Sequence, residues 1–280
     1  MNEPFGALRP SPFQDRLRAL GERLPRNYLG RKAASLLLGP AGGRAARAYD
    51  VAVFGSEKAR LHPFDNICEK RVYLTPQMWE FEERQILGDL ISGHRGRSFD
   101  FLDVGANAGL YTLFACAQAR KAGVSLKAVC IEADPEMAKR LQFNVFASSA
   151  AEMVRIFNCA ASDREGDIRF TVNQSSRGLS RVDPDGEMLV AARPLSDICA
   201  EAGLQKIDAM KIDIEGHEFA ALGAFFRDAS ASLRPSLIIL EISHQPDVNA
   251  TQSLLADAGY GRRFATRRNA VFADLRQMPT

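Results

Sequence analysis

The sequence predicts an α/β protein built on a mainly parallel β-sheet. From residue 99 onward, short apolar strands alternate with helical segments, and a glycine-rich turn joins the first strand to the first helix. Because strands separated by helices are linked by crossover connections, they pair in parallel, and the helices cover both faces of the sheet. The 280 residues, of which 46% are hydrophobic and 25% charged, fit a soluble globular chain and exclude a disordered or collagen-like protein.

The first 60 residues differ from the rest of the chain in charge. They contain 11 Lys/Arg and 5 Asp/Glu, a balance of +6, whereas the whole chain has a net charge of +2. We expect a basic N-terminal extension over residues 1–60, partly helical or disordered, and a helical cap on the substrate side over 61–98. A solvated, surface-docked segment is favoured, and contact with a membrane surface is the alternative. One short helix is predicted from an apolar stripe at helical spacing. The stripe consists of Phe13, Leu17, Leu20 and Leu24.

The chain carries no signal for export or for crossing a membrane. No run approaches the roughly 18 apolar residues of a transmembrane helix, and Glu3 and Pro4 stand where an export signal would have basic residues. The cysteines are odd in number, widely spaced and without a C-x-x-C pair, which fits reduced thiols better than a disulfide frame or a zinc site. We therefore expect a cytoplasmic protein. These cysteines are Cys68, Cys116, Cys130, Cys159 and Cys199.

The elements of the sheet can be placed in order from their residue patterns. Strands are predicted where apolar and β-branched residues form short runs, and helices where they recur at helical spacing. Pro135 marks a helix start, because proline fits the first helical position. The predicted order is strand 99–104, helix 110–122, strand 125–131, helix 135–148, strands 154–160, 168–172 and 189–192, strand 207–214, helix 218–229, strand 236–242, helix 247–258, and a terminal hairpin at 262–266 and 270–273.

A ligand site is predicted where the first two strands end. The first strand runs into the turn D-V-G-A-N-A-G, residues 103–109, and the second ends at Glu132. Glycines in such a turn let the backbone approach a ligand. An acidic residue after the next strand binds the ribose hydroxyls of a nucleoside. The pair therefore indicates a ligand with an unblocked ribose.

The turn favours S-adenosylmethionine over a nicotinamide dinucleotide. A dinucleotide site requires G-x-G-x-x-G, and here Asn107 occupies the position of the glycine that admits the pyrophosphate. Asp103 at the mouth of the turn would repel phosphate and attract a cationic sulfonium or ammonium group. As alternatives, Asp103 is a turn cap and Asn107 a left-handed turn residue, but neither explains Glu132.

A second dense stretch, K-I-D-I-E-G-H-E, covers residues 211–218. Strand alternation places Lys211, Asp213 and Glu215 on one face, and Glu241 ends the next strand. Charged residues in apolar strands are costly to bury without partners. These carboxylates therefore either pair with Lys211 or serve a site.

Five motifs in this order resemble the FkbM family of S-adenosylmethionine-dependent methyltransferases. They are D-V-G-A-N-A-G-L-Y-T-L, I-E-A-D-P, A-A-S-D, M-K-I-D-I-E-G-H-E and R-P-S-L-I-I-L-E-I, within residues 99–245. The resemblance implies the class I methyltransferase fold, which is Rossmann-like. Its seven-stranded, mostly parallel sheet has helices on both faces and a C-terminal antiparallel hairpin. It also implies that residues 99–280 form the S-adenosylmethionine-binding domain.

The resemblance further implies roles for individual residues. The methionyl part of the cofactor would be held by Asp103, Gly105, Asn107 and Gly109. The ribose would be held by Glu132 with Ala133 beside it, and Ser162 and Asp163 would lie near the adenine. The catalytic residues would be Asp213, Glu215 and His217, with His217 in a position where the family signature often has Ala.

The implied reaction is O-methylation of a hydroxyl on a sugar, a glycan or a natural product. An alcohol is a poor nucleophile at neutral pH, so we predict that Asp213 or His217 acts as the base and that Glu215 orients it. No residue is assigned as a metal ligand. As an alternative, Mg²⁺ would bind an oxygen-rich group. That group is Asp213, Glu215, Glu241 and His244.

Two other functional classes stay open, as does the identity of the acceptor. A non-catalytic S-adenosylmethionine-binding module and, less favoured, a nicotinamide-dependent oxidoreductase share the architecture. No nucleic-acid partner is expected, because aromatic and basic residues are not interleaved; the oligomeric state is left open. Acceptor selectivity is predicted for residues 62–84, including Trp79, and for the polar loop 173–180 with Arg177 and nearby Arg181.

Overall fold

A computed structural model describes residues 3–173, 176–243 and 247–277 of the chain. Its helices are α1 (Pro12–Gly21), α2 (Tyr28–Leu38), α3 (Ile67–Leu74), α4 (Phe81–Ser92), α5 (Leu110–Ala122), α6 (Pro135–Ala147), α7 (Leu195–Ala202), α8 (Glu218–Asp228) and α9 (Val248–Asp257). Its strands are β1 (Tyr49–Val53), β2 (Glu57–Leu61), β3 (Ser98–Val104), β4 (Ser125–Ile131), β5 (Val154–Phe157), β6 (Ala160–Ser162), β7 (Gly166–Thr171), β8 (Arg181–Val182), β9 (Met188–Pro194), β10 (Ala209–Ile212), β11 (Leu237–Glu241), β12 (Tyr260–Ala265) and β13 (Asn269–Asp274).

The main sheet has seven strands in the order β12-β13-β11-β10-β3-β4-β5. The pairs from β11 to β5 are parallel, whereas β13 runs antiparallel between β11 and β12. The predicted fold class, with its reversed C-terminal hairpin, is thereby confirmed. Because all the parallel strands point the same way, their carboxyl ends meet at one edge, where such sheets bind ligands.

Both faces of this sheet are covered, as the apolar strands predict. In β3, Phe99 and Phe101 belong to one buried cluster, while Leu102 and Val104 belong to the cluster on the opposite face. Alternate residues of a strand point to opposite faces, so an apolar residue at nearly every position is what a doubly covered strand requires. Asp100 and Asp103 are the exceptions in this run; Asp100 is half-buried, and Asp103 is 1% exposed.

The third predicted strand is interrupted, and a second sheet begins there. We predicted one strand over 154–160, but β5 ends at Phe157 and β6 starts at Ala160 in a separate sheet of order β6-β9-β7-β8. Asn158 lies at the break, where its side-chain amide donates to the main-chain oxygen of Glu132 at 2.8 Å. Helix α7 was also absent from the predicted elements. Its signal is a buried, helically spaced set of Leu195, Ile198, Cys199 and Ala202.

The N-terminal segment is folded and shares a core with the rest of the chain. The hairpin of β1 and β2 lies against α6, where Asn144 Oδ1 accepts from Arg60 N at 2.7 Å and Ser148 Oγ from Lys58 N at 2.8 Å. Tyr49 is fully buried in the same cluster as Phe99. The predicted boundary at residue 60 falls within β2, and residues of 49–61 pack in the main core. The division of the chain into an extension, a cap and a cofactor domain stays a prediction.

No helix in the described ranges has both the length and the apolar composition needed to cross a bilayer. All five cysteines carry free thiols, and four of them are buried.

Candidate functional site

A cavity with about 1110 Å³ of empty space, adjoining solvent included, lies at the carboxyl ends of the parallel strands. Each of four neighbouring strands contributes a charged residue to its wall: Asp103, Glu132, Lys211 and Glu241. All four side chains are at least nine-tenths buried. Such burial of charge is costly unless the groups pair or bind a ligand, so this edge of the sheet is the candidate site.

The turn after β3 forms one wall and contacts the turn after β10. Gly105 has φ +75°, and a Cβ at this position would collide with the main-chain oxygen of Asp213. Only glycine permits this approach. Asn107 adopts a left-handed φ of +54°, as its alternative interpretation suggested. It also lines the cavity together with Gly105 and Asp103. Gly109, by contrast, lies at the start of α5 with its α carbon near Leu141 and outside the cavity lining.

Glu132 is fixed by main-chain amides on both carboxylate oxygens. Asn107 N donates to Oε2 at 2.7 Å and Asp134 N to Oε1 at 2.8 Å. Burial raises its pKa to about 7 despite these two hydrogen bonds. Each oxygen retains a lone pair for a further donor, so a diol in the cavity would find two oriented acceptors.

The two residues predicted near the adenine, Ser162 and Asp163, lie outside the cavity lining. Ala133 lines the cavity, as do Cys159 and Ala161. Ser162 is buried outside the lining, and Asp163 is exposed. The role of Ser162 and Asp163 at the adenine therefore stays a prediction.

Lys211 and Asp213 form an ion pair at the end of β10, with Nζ 2.6 Å from Oδ2. Burial would lower the pKa of Lys211, but the negative charges of Asp213, Glu80 and Asp103 outweigh it and raise the pKa. Asp103 is also held by Thr112, whose Oγ1 donates to Oδ2 at 2.7 Å. Asp213 thus pairs with Lys211 and also lines the cavity, while the part of these carboxylates in a functional site stays a prediction.

The turn after β10 concentrates acidic groups. Burial, followed by the charges of Asp213, Glu241 and Glu218, raises the pKa of Glu215 to about 8. Glu218 accepts from Ile214 N at 2.8 Å and Gly216 N at 3.0 Å, so it fixes the turn, and burial raises its pKa to about 7.

The acidic group does not match the predicted magnesium set. Oxygens of Asp213, Glu218 and Glu241 lie within 4.8 Å of one another, so Glu218 stands where we expected Glu215. His244, the fourth member of the predicted set, lies outside the described residues. Carboxylates that already bind main-chain amides and Lys211 are satisfied without an ion, and we derive no step through a metal.

His217 points to the second sheet. Its Nε2 lies 3.0 Å from Ser162 Oγ, and burial lowers the pKa of the imidazole. The ring is therefore neutral at neutral pH and lines the cavity. No hydrogen bond between His217 and Asp213 is present in the part of the chain that the structure describes.

Several residues in or beside the cavity had no individual role in the sequence prediction. Tyr111 donates to Glu80 Oε2 at 2.7 Å, and Asn66 Nδ2 donates to Asn107 Oδ1 at 2.7 Å. Trp79 is 3% exposed and packs on Tyr111. Trp79 therefore both lines the cavity and packs in the hydrophobic core. The sequence predicted acceptor selectivity for residues 62–84 as a segment and singled out Trp79 alone among these residues.

The arginines of the polar loop are paired. Arg177 binds Asp134 at 2.8 Å and Arg181 binds Asp183 at 3.2 Å. Two other arginines have no carboxylate partner within the described residues: Arg268, which lines the cavity, and Arg71, on the same helix as the lining residue Cys68. Burial, and then the like charge of Arg268, lowers the pKa of Arg71.

Known proteins resemble this chain over the same region. The profile of the methyltransferase FkbM domain matches residues 103–261. The 2-O-methyltransferase NoeI of Sinorhizobium fredii is 33% identical over 108 residues, which cover 32% of this chain and 43% of that protein. The hexuronic acid methyltransferase AglP of Haloferax volcanii is 27% identical over 157 residues, or 56% of this chain and 61% of that protein.

A solved structure shares the fold over nearly the whole chain. The METTL16 MTase domain superposes with a TM-score of 0.51 at 13% identity, covering 94% of this chain and 91% of that one. At this identity the likeness concerns the fold alone. The chain spans about half the length of the two sequence relatives it matches, 43% and 61%.

Proposed function

Because the chain belongs to the FkbM methyltransferase family, we propose that it transfers a methyl group from S-adenosylmethionine to a hydroxyl oxygen of a sugar-type acceptor. The observation that carries the proposal is the contact between the two turns. Gly105, in the turn that would hold the cofactor, touches the backbone of Asp213, whose carboxylate would take the acceptor's proton. Donor and base are thereby set side by side.

The donor set around the cavity fits S-adenosylmethionine. Glu132 would accept from the ribose hydroxyls, and the buried carboxylate of Asp103 would favour the cationic methionyl end. When bound, the cofactor supplies an electrophilic methyl group. Asn107 occupies the place where a dinucleotide site needs glycine, which counts against a nicotinamide oxidoreductase.

Asp213 is the better-placed base. Lys211 holds its Oδ2, so the carboxylate is oriented to accept a proton from the acceptor hydroxyl. Such assistance typically accelerates a reaction about 10²–10⁴-fold. The pKa of Glu215, raised to about 8, keeps that side chain mostly protonated at pH 7. Glu215 therefore limits the negative charge beside Asp213.

The charge of the acceptor side favours an anionic acceptor. Arg268 lines the cavity, and its positive charge contributes to the lowered pKa of Arg71. Guanidinium groups of this kind recognise carboxylate or phosphate groups. The relative from Haloferax volcanii is named for hexuronic acid, and NoeI for 2-O-methylation. We therefore propose a uronic-acid-type sugar as the acceptor class.

The test measures release of S-adenosylhomocysteine from S-adenosylmethionine with methyl glucuronide, with methyl glucoside or with no acceptor. We expect release that depends on an acceptor and is faster with the glucuronide. The preference should shrink in Arg268→Gln, whereas Arg181→Gln, outside the lining, should keep it. Cofactor binding without release from either sugar would favour a binding module. A thermal shift with NAD but not with S-adenosylmethionine would refute the proposed function.

A further inference from the structure

The outer face of α2 carries apolar side chains that the fold leaves in solvent. Tyr28, Leu29 and Leu36 are 60%, 71% and 79% exposed. They share one side of the helix with Arg31 and Lys32, because residues three, four and seven apart lie on the same side. The opposite side supplies the contacts of α2 with the core. These core contacts are Ala34, Leu37 and Leu38.

The surrounding surface is strongly basic. Residues 23–49 contain six Lys/Arg and no Asp/Glu. All six cations are exposed, and within the described ranges none forms a salt bridge. Lys32 Nζ lies 4.8 Å from the centre of the Tyr28 ring. The six are Arg23, Arg26, Arg31, Lys32, Arg44 and Arg47.

We propose that this surface, the outer face of α2 with its six cations, docks on an anionic lipid bilayer. Apolar side chains among lysines and arginines are the composition of a helix that lies in the headgroup region. Cations near such a surface are attracted by its anionic headgroups. A nucleic acid would use the cations but leave Leu29 and Leu36 in water. A second copy of the chain, packed through the same face, would bring the cations of one molecule against those of the other.

The surface adjoins a wall of the cavity. Gln77 Nε2 donates to the main-chain oxygens of Gly21 and Leu24, at 2.8 and 3.1 Å, and so fixes the connection into α2. Trp79 and Glu80, two and three residues further on, line the cavity. Docking would therefore place the acceptor side of the cavity near the headgroups. The docking itself does not depend on the proposed reaction.

The test is sedimentation of the full chain with extruded vesicles of phosphatidylcholine alone or with about one third phosphatidylglycerol. We expect the wild-type chain to bind the anionic vesicles at least about ten-fold more strongly, and to lose that binding near 0.5 M salt. Leu29→Glu/Leu36→Glu should lower binding by about ten-fold or more. Phe146→Glu is the matched control, because Phe146 is 77% exposed on α6, outside this surface.

Each outcome separates the proposal from its rivals. Absence of wild-type binding to the anionic vesicles, or equal binding by the double variant, would overturn the proposal. The proposal would also be overturned if light scattering showed a wild-type dimer that Leu29→Glu/Leu36→Glu converts to a monomer, while vesicles had no effect on either protein. A thermal melt of each variant ensures that only folded proteins are compared. Loss of vesicle binding with intact methyl transfer in solution would leave the proposed function standing.

Discussion

Lys211 Nζ lies 2.6 Å from Asp213 Oδ2, and the same buried ammonium attracts the carboxylates of Asp103 and Glu80. One cation thus offsets three acidic groups contributed by different segments. A buried pair of this kind is weak evidence for stability but strong evidence that the partners depend on each other.

Replacing the cation should expose that dependence. Lys211→Met leaves the carboxylates without their counter-charge, so we expect the free energy of unfolding in urea to fall by roughly 3 kcal/mol. Asp213→Asn in the same chain should recover part of the loss, because it removes one of the unpaired charges. If the losses of unfolding free energy in the two single variants simply added in the double variant, Lys211 and Asp213 would not be coupled.

Asp213→Asn should lower kcat by about 10²–10⁴-fold while the affinity for S-adenosylhomocysteine changes less than about three-fold. The parallel change His217→Asn should lower kcat less than about ten-fold, because Ser162 engages the imidazole Nε2. Steady-state kinetics and calorimetry of both variants decide between the two candidate bases. The reverse pattern would make His217 the base.

Glu132→Gln should weaken S-adenosylhomocysteine binding by about ten-fold or more, because an amide offers one acceptor oxygen where the carboxylate offers two to the ribose diol. Titration calorimetry measures this directly. Glu165→Gln, an exposed acidic residue of the same chain, is the control and should bind as the wild type does. Equal affinities in the two variants would remove Glu132 from the cofactor site.

The folding stability should decline as the pH rises from about 5 to 8. The pKa values of Glu132, Glu215 and Glu218 are raised to about 7, 8 and 7 from an unfolded value of 4.5. In that window the folded state holds more protons than the unfolded state, so the free energy of unfolding falls with pH. His217, with its lowered pKa, acts in the opposite direction but is a single group. Urea titrations at about pH 5.5 and 8 test the sign, and Glu215→Gln should flatten the dependence.

Asn144→Ala should uncouple the N-terminal hairpin from the cofactor turn. The Asn144 side chain accepts from Arg60 N and donates to the main-chain oxygen of Ala108 at 2.9 Å, and its loss leaves two buried main-chain groups unpaired. We expect about 1–3 kcal/mol of destabilisation and weaker cofactor binding. Deleting residues 1–61 should prevent soluble expression. A soluble, cofactor-binding fragment 62–280 would contradict this expectation and support a separate N-terminal extension.

The site residues at the strand ends could be predicted from the sequence, because residue spacing shows where each strand ends. Asp103, Glu132 and Asp213 follow apolar runs whose period is that of a strand, and parallel strands bring their carboxyl ends together. Glu80, Asn66 and Arg268 could not be found this way. Glu80 is the left-handed N-cap of α4, Asn66 is the N-cap of α3 that contacts Asn107, and Arg268 lies in the turn before β13. Their positions depend on tertiary packing. The break at Asn158 is similar, since it depends on a hydrogen bond to Glu132 across the sheet.

The backbone contact between Gly105 and Asp213 restricts how this enzyme could acquire new acceptors. Because even a methyl group on Gly105 would overlap the main-chain oxygen of Asp213, neither turn has room for an insertion or a larger residue without displacing the other. We therefore expect variation in specificity on the other lining segments, within residues 67–80, 177–182 and 268–269. A library intended to change the acceptor should randomise those segments and keep both turns as they are.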